Sequence, residues 1–395
     1  MPNPPVRSSP RVLILGCGMV GSVMAIDMAR AGFAVTLADA RADALAAAAA
    51  KCAALTGITP ATKTADLSSA PAVAALAREH DLVLGALASR IALGALGAVI
   101  AARKPYCDIS FMAEDATSLS PQAEAAGVCC VVDCGVAPGM SHILSMHGAR
   151  MLARCDEVKI VVGGLPRERR WPFQYKAAFA PSDVLEEYTR PVRLVRAGQE
   201  LVVDALTERE LIDFAGIGTL EAFNTDGLRS LVHTLKGRVP TMIEKTLRYP
   251  GHIELMAAFR ATGLMGEEPI EVGGVMVSPR ALLAKLMFPH WTYQPGEEDL
   301  TVMRVSAAGI SGGKPTTLTW DLLDFYSTAD RCTSMARTTA LPCTIVARLM
   351  LEGRFKAPGV HPPERLAEHP GLVDFILAEL AARAIQYRFT RAAAA

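Results

Sequence analysis

Val12-Leu13-Ile14-Leu15-Gly16-Cys17-Gly18-Met19-Val20-Gly21, followed by Asp39 at the end of a second apolar run, decides how this chain begins to fold. The order is strand, glycine turn, helix, strand, acid, which is the layout of a dinucleotide-binding βαβ unit. Gly16 permits the tight turn, Gly18 lets the backbone approach a pyrophosphate, and Gly21 lets the helix sit close on the strand. The helix start, with Cys17, Met19 and Val20 between the glycines, offers unpaired N–H groups and a positive dipole end to phosphate. Asp39 lies 18 residues beyond Gly21, placed to accept hydrogen bonds from ribose hydroxyls. A glycine-rich βα turn that binds nothing would show the three glycines without the acid in place.

Outward from that unit, short β-branched runs alternate with alanine-rich stretches. Strands are expected at Val12–Leu15, Ala34–Ala38, Thr62–Ala65, Asp81–Gly85, Pro105–Ile109 and Val128–Val132. Helices are expected at Ala42–Leu55, Ala72–Glu79 and Ile91–Ala102 and around Pro121–Ala126. Such alternation predicts an α/β fold with a Rossmann-type, doubly wound parallel sheet. Ligands of these sheets bind beyond the carboxyl ends of the strands. Those ends carry Ala40 and Arg41, Asp66, the segment Ala86-Leu87-Ala88, Asp108 with Ser110, and Gly135, all candidate cofactor contacts apart from Asp108.

After Gly139 the texture changes. Helices at Met140–Ala153 and Leu228–Leu235 flank alternating runs at Glu157–Val162, Val192–Arg196, Gln199–Asp204 and Leu300–Ala308. Alternation at period two predicts a second α/β domain of mixed sheet, carrying substrate determinants. The organisation read from the chain is a loose tail over 1–10, a dinucleotide domain over 11–139 and a substrate-binding and dimerisation domain over 140–325. Helices at Thr338–Leu351 and Leu372–Arg383 then close 326–395 against the first domain.

Forty basic residues balance forty acidic ones across 395 residues, with no long run of either sign, so nothing marks a nucleic-acid footprint. The longest apolar run, Ile91 to Ala102, is 12 residues, too short to span a bilayer. Met1–Pro10 lacks the apolar core of a signal peptide. A cytoplasmic enzyme without membrane partners is the expectation. The nine cysteines lack C-x-x-C spacing and read as small core residues of a reduced protein, and no histidine completes a metal set.

Three segments of the second half mix glycine, charge and aromatic residues beyond what packing requires. Asp133–His142 forms a glycine-proline turn after a strand, beside the nicotinamide end of a cofactor bound at Gly16–Gly21. Glu221–Gly227 has turn composition, and Asn224, Thr225 or Asp226 equally suits capping of a helix at Leu228. Lys245–His252 places Arg248 beside a Tyr-Pro-Gly turn, where its fork could hold a substrate carboxylate or an internal salt bridge. His252 is a proton-carrier candidate or a satisfied structural histidine.

These residues carry a resemblance. The chain resembles the saccharopine dehydrogenase superfamily, and within it the bacterial L-lysine 6-dehydrogenases, from Gly16 to about Arg383. The markers are Asp108-Ile109-Ser110, Gly135-Val136-Ala137-Pro138-Gly139, Gly163-Gly164-Leu165-Pro166, Leu220–Gly227, Thr246–His252 and Met335-Ala336-Arg337-Thr338-Thr339-Ala340. The resemblance implies a homodimeric oxidoreductase passing hydride between a nicotinamide ring and a carbon bearing nitrogen, with Asn224, Thr225 and Arg248 at the amino-acid substrate. Similar saccharopine reductases carry an arginine in the segment that reads Asn224-Thr225-Asp226-Gly227 here. Its lack removes a partner for the extra carboxylates of saccharopine and favours a smaller substrate. Trp171–Tyr175 and Pro289-His290-Trp291 are not among the residues that carry the resemblance.

The expected reaction is NAD-dependent oxidation of L-lysine at its ε-carbon, giving a semialdehyde that cyclises. A general base must first take a proton from the ε-ammonium. Asp108 and His252 lead the candidates, followed by Asp133 and Tyr175. A carboxylate at Asp39 repels a 2′-phosphate and so favours NAD over NADP, whereas Arg41 could meet that phosphate. The alternatives are a saccharopine-, opine- or imine-type reductase, or a nucleotide-binding sensor without chemistry.

Overall fold

The structure, a computed structural model, describes residues 9–177, 181–294 and 296–393; most of the tail read at 1–10 lies outside them. The described residues form two units, one reaching Met140 and including Thr339–Leu366, the other holding Ser141–Thr338 and the residues from Ala367 onward. The segment from 326 to the end is thus divided between them. No described helix is long and apolar enough to cross a membrane.

In the first unit the chain runs β1 (Arg11–Leu15), α1 (Met19–Arg30), β2 (Ala34–Asp39), α2 (Ala42–Thr56), β3 (Ala61–Thr64) and α3 (Ala70–Arg78). It continues through β4 (Leu82–Gly85), α4 (Ser89–Ala101), β5 (Tyr106–Asp108), α5 (Ser120–Ala126) and β6 (Cys129–Val131). Val12, Leu13, Ile14 and Leu15 are all buried, as a central parallel strand covered on both faces requires.

The second unit contains α6 (Met140–Met151), β7 (Arg154–Pro166), α7 (Pro181–Thr189), β8 (Val192–Arg196), β9 (Gln199–Val203), β10 (Glu210–Phe214) and β11 (Gly218–Asn224). Then follow α8 (Leu231–Thr234), β12 (Thr241–Arg248), α9 (His252–Ala261), the hairpin β13 (Ile270–Val272) and β14 (Val275–Val277), and α10 (Pro279–Trp291). Two long strands, β15 (Asp299–Ser311) and β16 (Lys314–Phe325), precede α11 (Ser334–Leu351), most of which belongs with β17 (Gly359–His361) to the first unit, and α12 (Leu372–Ala382) and β18 (Tyr387–Ala393) complete the second.

The first sheet has the order β17-β6-β5-β4-β1-β2-β3, and every pair is parallel. The chain reverses direction across the sheet between β1 and β4, the switch point where doubly wound folds open a ligand crevice. The main sheet of the second unit has nine strands, ordered β10-β11-β12-β7-β15-β16-β18 with β8 and β9 attached beside β12. Only β7 and β12 pair in parallel there, the other ladders being antiparallel, so the sheet is mixed.

Several local readings change in three dimensions. Glu221–Gly227 begins as strand, since Glu221 to Asn224 pair with Arg248 to Lys245. The helix expected over Leu228–Leu235 is confined to Leu231–Thr234, with Ser230 at its cap; capping by Asn224, Thr225 or Asp226 is therefore not their role. Lys245–Arg248 likewise belongs to a strand, and the turn is Tyr249-Pro250-Gly251. All nine cysteines are buried free thiols.

Candidate functional site

In the first unit, the candidate residues gather at the carboxyl ends of β1, β4 and β5. Gly16 has φ +94°, and a Cβ there would lie 2.3 Å from the Ala86 carbonyl oxygen. A Cβ on Gly21 would lie 1.9 Å from the carbonyl oxygen of Gly16, so α1 can start where it does only without a side chain. Gly18 differs, with nothing within 4 Å of its would-be Cβ. That open approach, at a helix start with no acidic residue in its first turn and no side-chain cap, fits a pyrophosphate held by backbone N–H groups.

Asp39 ties this turn together. Its Oδ2 accepts the Cys17 N–H at 2.8 Å and its Oδ1 the Arg41 N–H at 2.9 Å. An ionised carboxylate offers about four acceptor positions, so two remain for ribose hydroxyls. The Cys17 thiol is pushed up to about 12 by burial and by Asp39 and stays a neutral packing group. Met19, Ala40, Arg41 and Ala88 are exposed, and Val20 and Ala86 partly so. Leu87 N–H donates to Ser110 Oγ at 3.3 Å, which joins the ends of β4 and β5. Asp66 turns its carboxylate to Ser68, whose hydrogen bonds hold it below the usual range. Gly135 packs beside Thr339, which lies 3.1 Å from its would-be Cβ.

Asp108, at the end of β5, is fully buried. Its Oδ2 accepts the Tyr106 hydroxyl at 3.2 Å, and its Oδ1 has no partner among the described residues. Burial, then the charge of Asp133, raises its carboxyl to about 8. Gly85 makes this possible, because a Cβ there would lie 2.0 Å from the Tyr106 hydroxyl and 2.7 Å from Asp108 Cβ.

In the second unit, β12 alternates its side chains, setting Glu244, Thr246 and Arg248 on one face. Arg248 is 2 % exposed. Its Nη2 donates to Glu187 Oε2 at 2.6 Å and more weakly to Tyr175 Oη at 3.4 Å; its Nε donates to Tyr188 Oη at 3.2 Å and its Nη1 to the Leu247 carbonyl at 3.0 Å. The guanidinium also lies 4.4 Å from the Tyr175 ring centre. The internal ion pair, not an open fork for substrate, is what the structure gives Arg248. Glu187 comes from α7, 61 residues away, and nothing near Arg248 in the sequence announces it.

His252 is equally committed. Its Nδ1 lies 2.8 Å from the Phe173 carbonyl and its Nε2 2.9 Å from Tyr188 Oη. A carbonyl can only accept, so Nδ1 carries the proton and Nε2 accepts from Tyr188. Burial, then the Arg248 charge, lowers the imidazole to about 3. The neutral ring holds Tyr188 in place and has no nitrogen left for proton transfer. Tyr175 is buried against His252 and Trp291, and burial holds its phenol well above the ordinary range.

Asn224 and Thr225 are adjacent in sequence but pair separately. Asn224 Nδ2 donates to Thr207 Oγ1 at 3.2 Å, and Thr225 Oγ1 shares a 2.9 Å hydrogen bond with Thr246 Oγ1. Asp226 takes both prongs of Arg193, at 3.0 and 3.1 Å. Sequence reading missed Glu187, Tyr188 and Glu244. The last has a visible signal, a lone acid inside the otherwise orderly run Thr241–Arg248.

Residues 12–131 match the family model described as the saccharopine dehydrogenase NADP binding domain, and residues 135–385 that of the saccharopine dehydrogenase C-terminal domain. The chain is 23 % identical, over 78 % of its length, to the mitochondrial alpha-aminoadipic semialdehyde synthase of Bos taurus, of which the match covers 40 %. It therefore spans well under half of that relative. It is 22 % identical, over 80 % of its length, to the saccharopine dehydrogenase [NADP(+), L-glutamate-forming] of Schizosaccharomyces pombe, covering 86 % of that protein. In three dimensions it is similar to apo saccharopine dehydrogenase (L-Glu forming) from Saccharomyces cerevisiae, with a TM-score of 0.79, 20 % identity and coverage of 98 % of this chain and 100 % of that one. That likeness shows the fold.

Proposed function

We propose that this chain, which belongs to the saccharopine dehydrogenase family of amino-acid oxidoreductases, oxidises the ε-carbon of L-lysine with NAD as the partner. The observation that carries this reading is the charge balance around Asn224–Gly227. Arg193 is matched by Asp226 and Arg248 by Glu187, and Lys245 shares Glu210 with Lys159, so each of these cations already faces a carboxylate of the protein. The segment Asn224–Gly227, in which similar reductases carry an arginine, has none here, and its Thr225 hydroxyl is spent on Thr246. Such a surface suits a substrate of net positive charge better than one bearing the additional carboxylates of saccharopine.

A bound pyridine nucleotide supplies the hydride acceptor, and the open Gly18 with the anchored Asp39 fits it. Asp108 takes one proton from the ε-ammonium through its unpartnered oxygen, because a base that titrates near the working pH both accepts and returns protons readily. Loss of hydride from the carbon leaves an imine; water adds, ammonia leaves and the semialdehyde cyclises onto its own α-amine. Overall, one lysinium, one NAD⁺ and one water give semialdehyde, ammonium, NADH and one proton. Arg248 and His252 act as positioning residues that lock Tyr175 and Tyr188. Asp39 favours NAD, although the matched domain model is described as NADP-binding.

A homodimer is part of the proposal. Ile270, Val272 and Val275 are exposed together on the β13–β14 hairpin, and Leu282 and Leu286 on α10, an apolar face of the kind that marks association. The second reading, a saccharopine or other opine-type reductase, is favoured by the names of the relatives. The test is an amine panel with NAD⁺ and NADP⁺. L-lysine is expected to give NADH with equimolar ammonia; reduction by saccharopine alone would establish the second reading. Tight NADH binding without turnover on any amine would favour a sensor.

A further inference from the structure

We propose, resting on the lysine-oxidation reading, that Glu244 is the residue that recognises the α-ammonium group of the amino-acid substrate, so that the enzyme distinguishes an α-amino acid from a simple ω-amine. Glu244 is 5 % exposed and sits in mid-strand, paired in register with Ile160 of β7. Its neighbours on the same face of β12 are Met242 and Thr246, neither of them a cation, and burying a carboxylate without a partner is costly. Its Oε2 nevertheless has no hydrogen-bond partner among the described residues.

The surroundings are shaped to hold that group. A Cβ on Gly227 would fall 1.8 to 1.9 Å from the three atoms of the Glu244 carboxyl, so any side chain at 227 would take its place. The carbonyl of Gly227 is in turn fixed by His142 Nε2 at 3.0 Å, and Thr225 and Thr246 pair beside it on the same strand face. The charged groups facing Glu244 are Asp226 from the β11–α8 connection, Glu187 from α7 and Arg229. Asp226 and Glu187 are each held by an arginine, which leaves Glu244 as the acid of the group with an oxygen to spare.

Burial, then the charges of Asp226 and Glu187, raises the Glu244 carboxyl to about 8, against the opposing pull of Arg229. It therefore stands protonated near neutral pH, which avoids an uncompensated buried charge. An arriving ammonium reverses that balance. The carboxyl O–H bond breaks, its proton leaves to solvent, and the carboxylate accepts a charge-assisted N–H hydrogen bond. Recognition and proton release are one event, with no oxidant or co-reactant involved.

The test compares L-lysine with 6-aminohexanoate, which keeps the reacting ε-amine and lacks the α-amine. In wild type kcat/KM is expected to favour lysine, and Glu244→Gln, which preserves shape and the neutral form, should lower kcat/KM for lysine by about 10- to 100-fold. The value for 6-aminohexanoate and the affinity for NADH should hold, and Glu244→Asp should restore part of the lysine preference. Equal losses for both substrates, or none, would overturn the assignment while leaving lysine oxidation intact. If wild type oxidises neither compound, the lysine reading falls and calorimetry decides Glu244 separately. L-norleucine added with NADH should then bind wild type with release of about one proton and bind Glu244→Gln with none; absent binding, or equal proton counts, overturns the proposal.

Discussion

Replacing His252 with glutamine should leave a measurable imprint on acid stability. In the folded protein its imidazole is neutral, donating to Phe173 and accepting from Tyr188, and burial, then the Arg248 charge, lowers it from the ordinary 6.5 to about 3. A base whose folded value is depressed contributes stability that is complete above its unfolded value and is lost as pH falls below it. From about pH 8 to about pH 5 the unfolded chain gains a proton that the folded one refuses. Over the 1.5 units below 6.5 that costs about 2 kcal/mol, at about 1.36 kcal/mol per unit. The group is 1 % exposed, so solvent screening does not reduce this figure. Glutamine cannot titrate. Urea unfolding of both proteins at the two pH values should show wild type losing about 2 kcal/mol more than His252→Gln. Parallel losses would mean that His252 titrates freely in the folded state, which would refute its structural role and return it to the candidates for proton transfer.

Other substitutions separate the roles assigned to neighbouring residues. Gly21→Ala drives a Cβ into the Gly16 carbonyl and should cost about 1–3 kcal/mol in thermal unfolding, whereas Gly18→Ala meets open space and should keep the melting temperature while weakening NADH at least about tenfold by fluorescence titration. Asp39→Ser frees the Cys17 and Arg41 amides and removes the charge facing a 2′-phosphate; the ratio of kcat/KM for NAD⁺ to that for NADP⁺ should fall by about tenfold or more. Glu187→Gln leaves the buried Arg248 without its carboxylate and should destabilise the protein by about 3 kcal/mol in denaturant unfolding. Asp108→Asn should abolish most amine turnover while retaining NADH binding. Because the Asp108 carboxyl is raised, its ionisation penalty is absent at low pH and grows as pH climbs from 3.8 toward about 8, so the variant should also lose less stability than wild type across that window.

The nucleotide unit was legible because its signals are local. Strand, glycines, helix and acid lie within 28 residues, from Val12 to Asp39, and each glycine has a steric reason at its own position. β17 escaped notice because Gly359-Val360-His361 is too short to show a period and becomes a strand only by pairing with β6. The substrate unit was less readable for the same physical reason. Lys245–His252 looked like a turn around Pro250, yet Arg248 ends a strand and His252 starts a helix, with positions fixed by β11 and β7 far away in sequence. The Arg248–Glu187 pair and the His252–Tyr188 bond join residues more than sixty positions apart. Composition could nominate one partner of each and had no means of supplying the other.

Lysine deuterated at both positions of its ε-carbon tests the central claim most directly. With NAD⁺ and the intact protein, deuterium should appear at C4 of the reduced nicotinamide, one per molecule of ammonia released, with the cyclised product retaining the second. Reduced cofactor free of deuterium, or no reduction with lysine while saccharopine is oxidised, would contradict it.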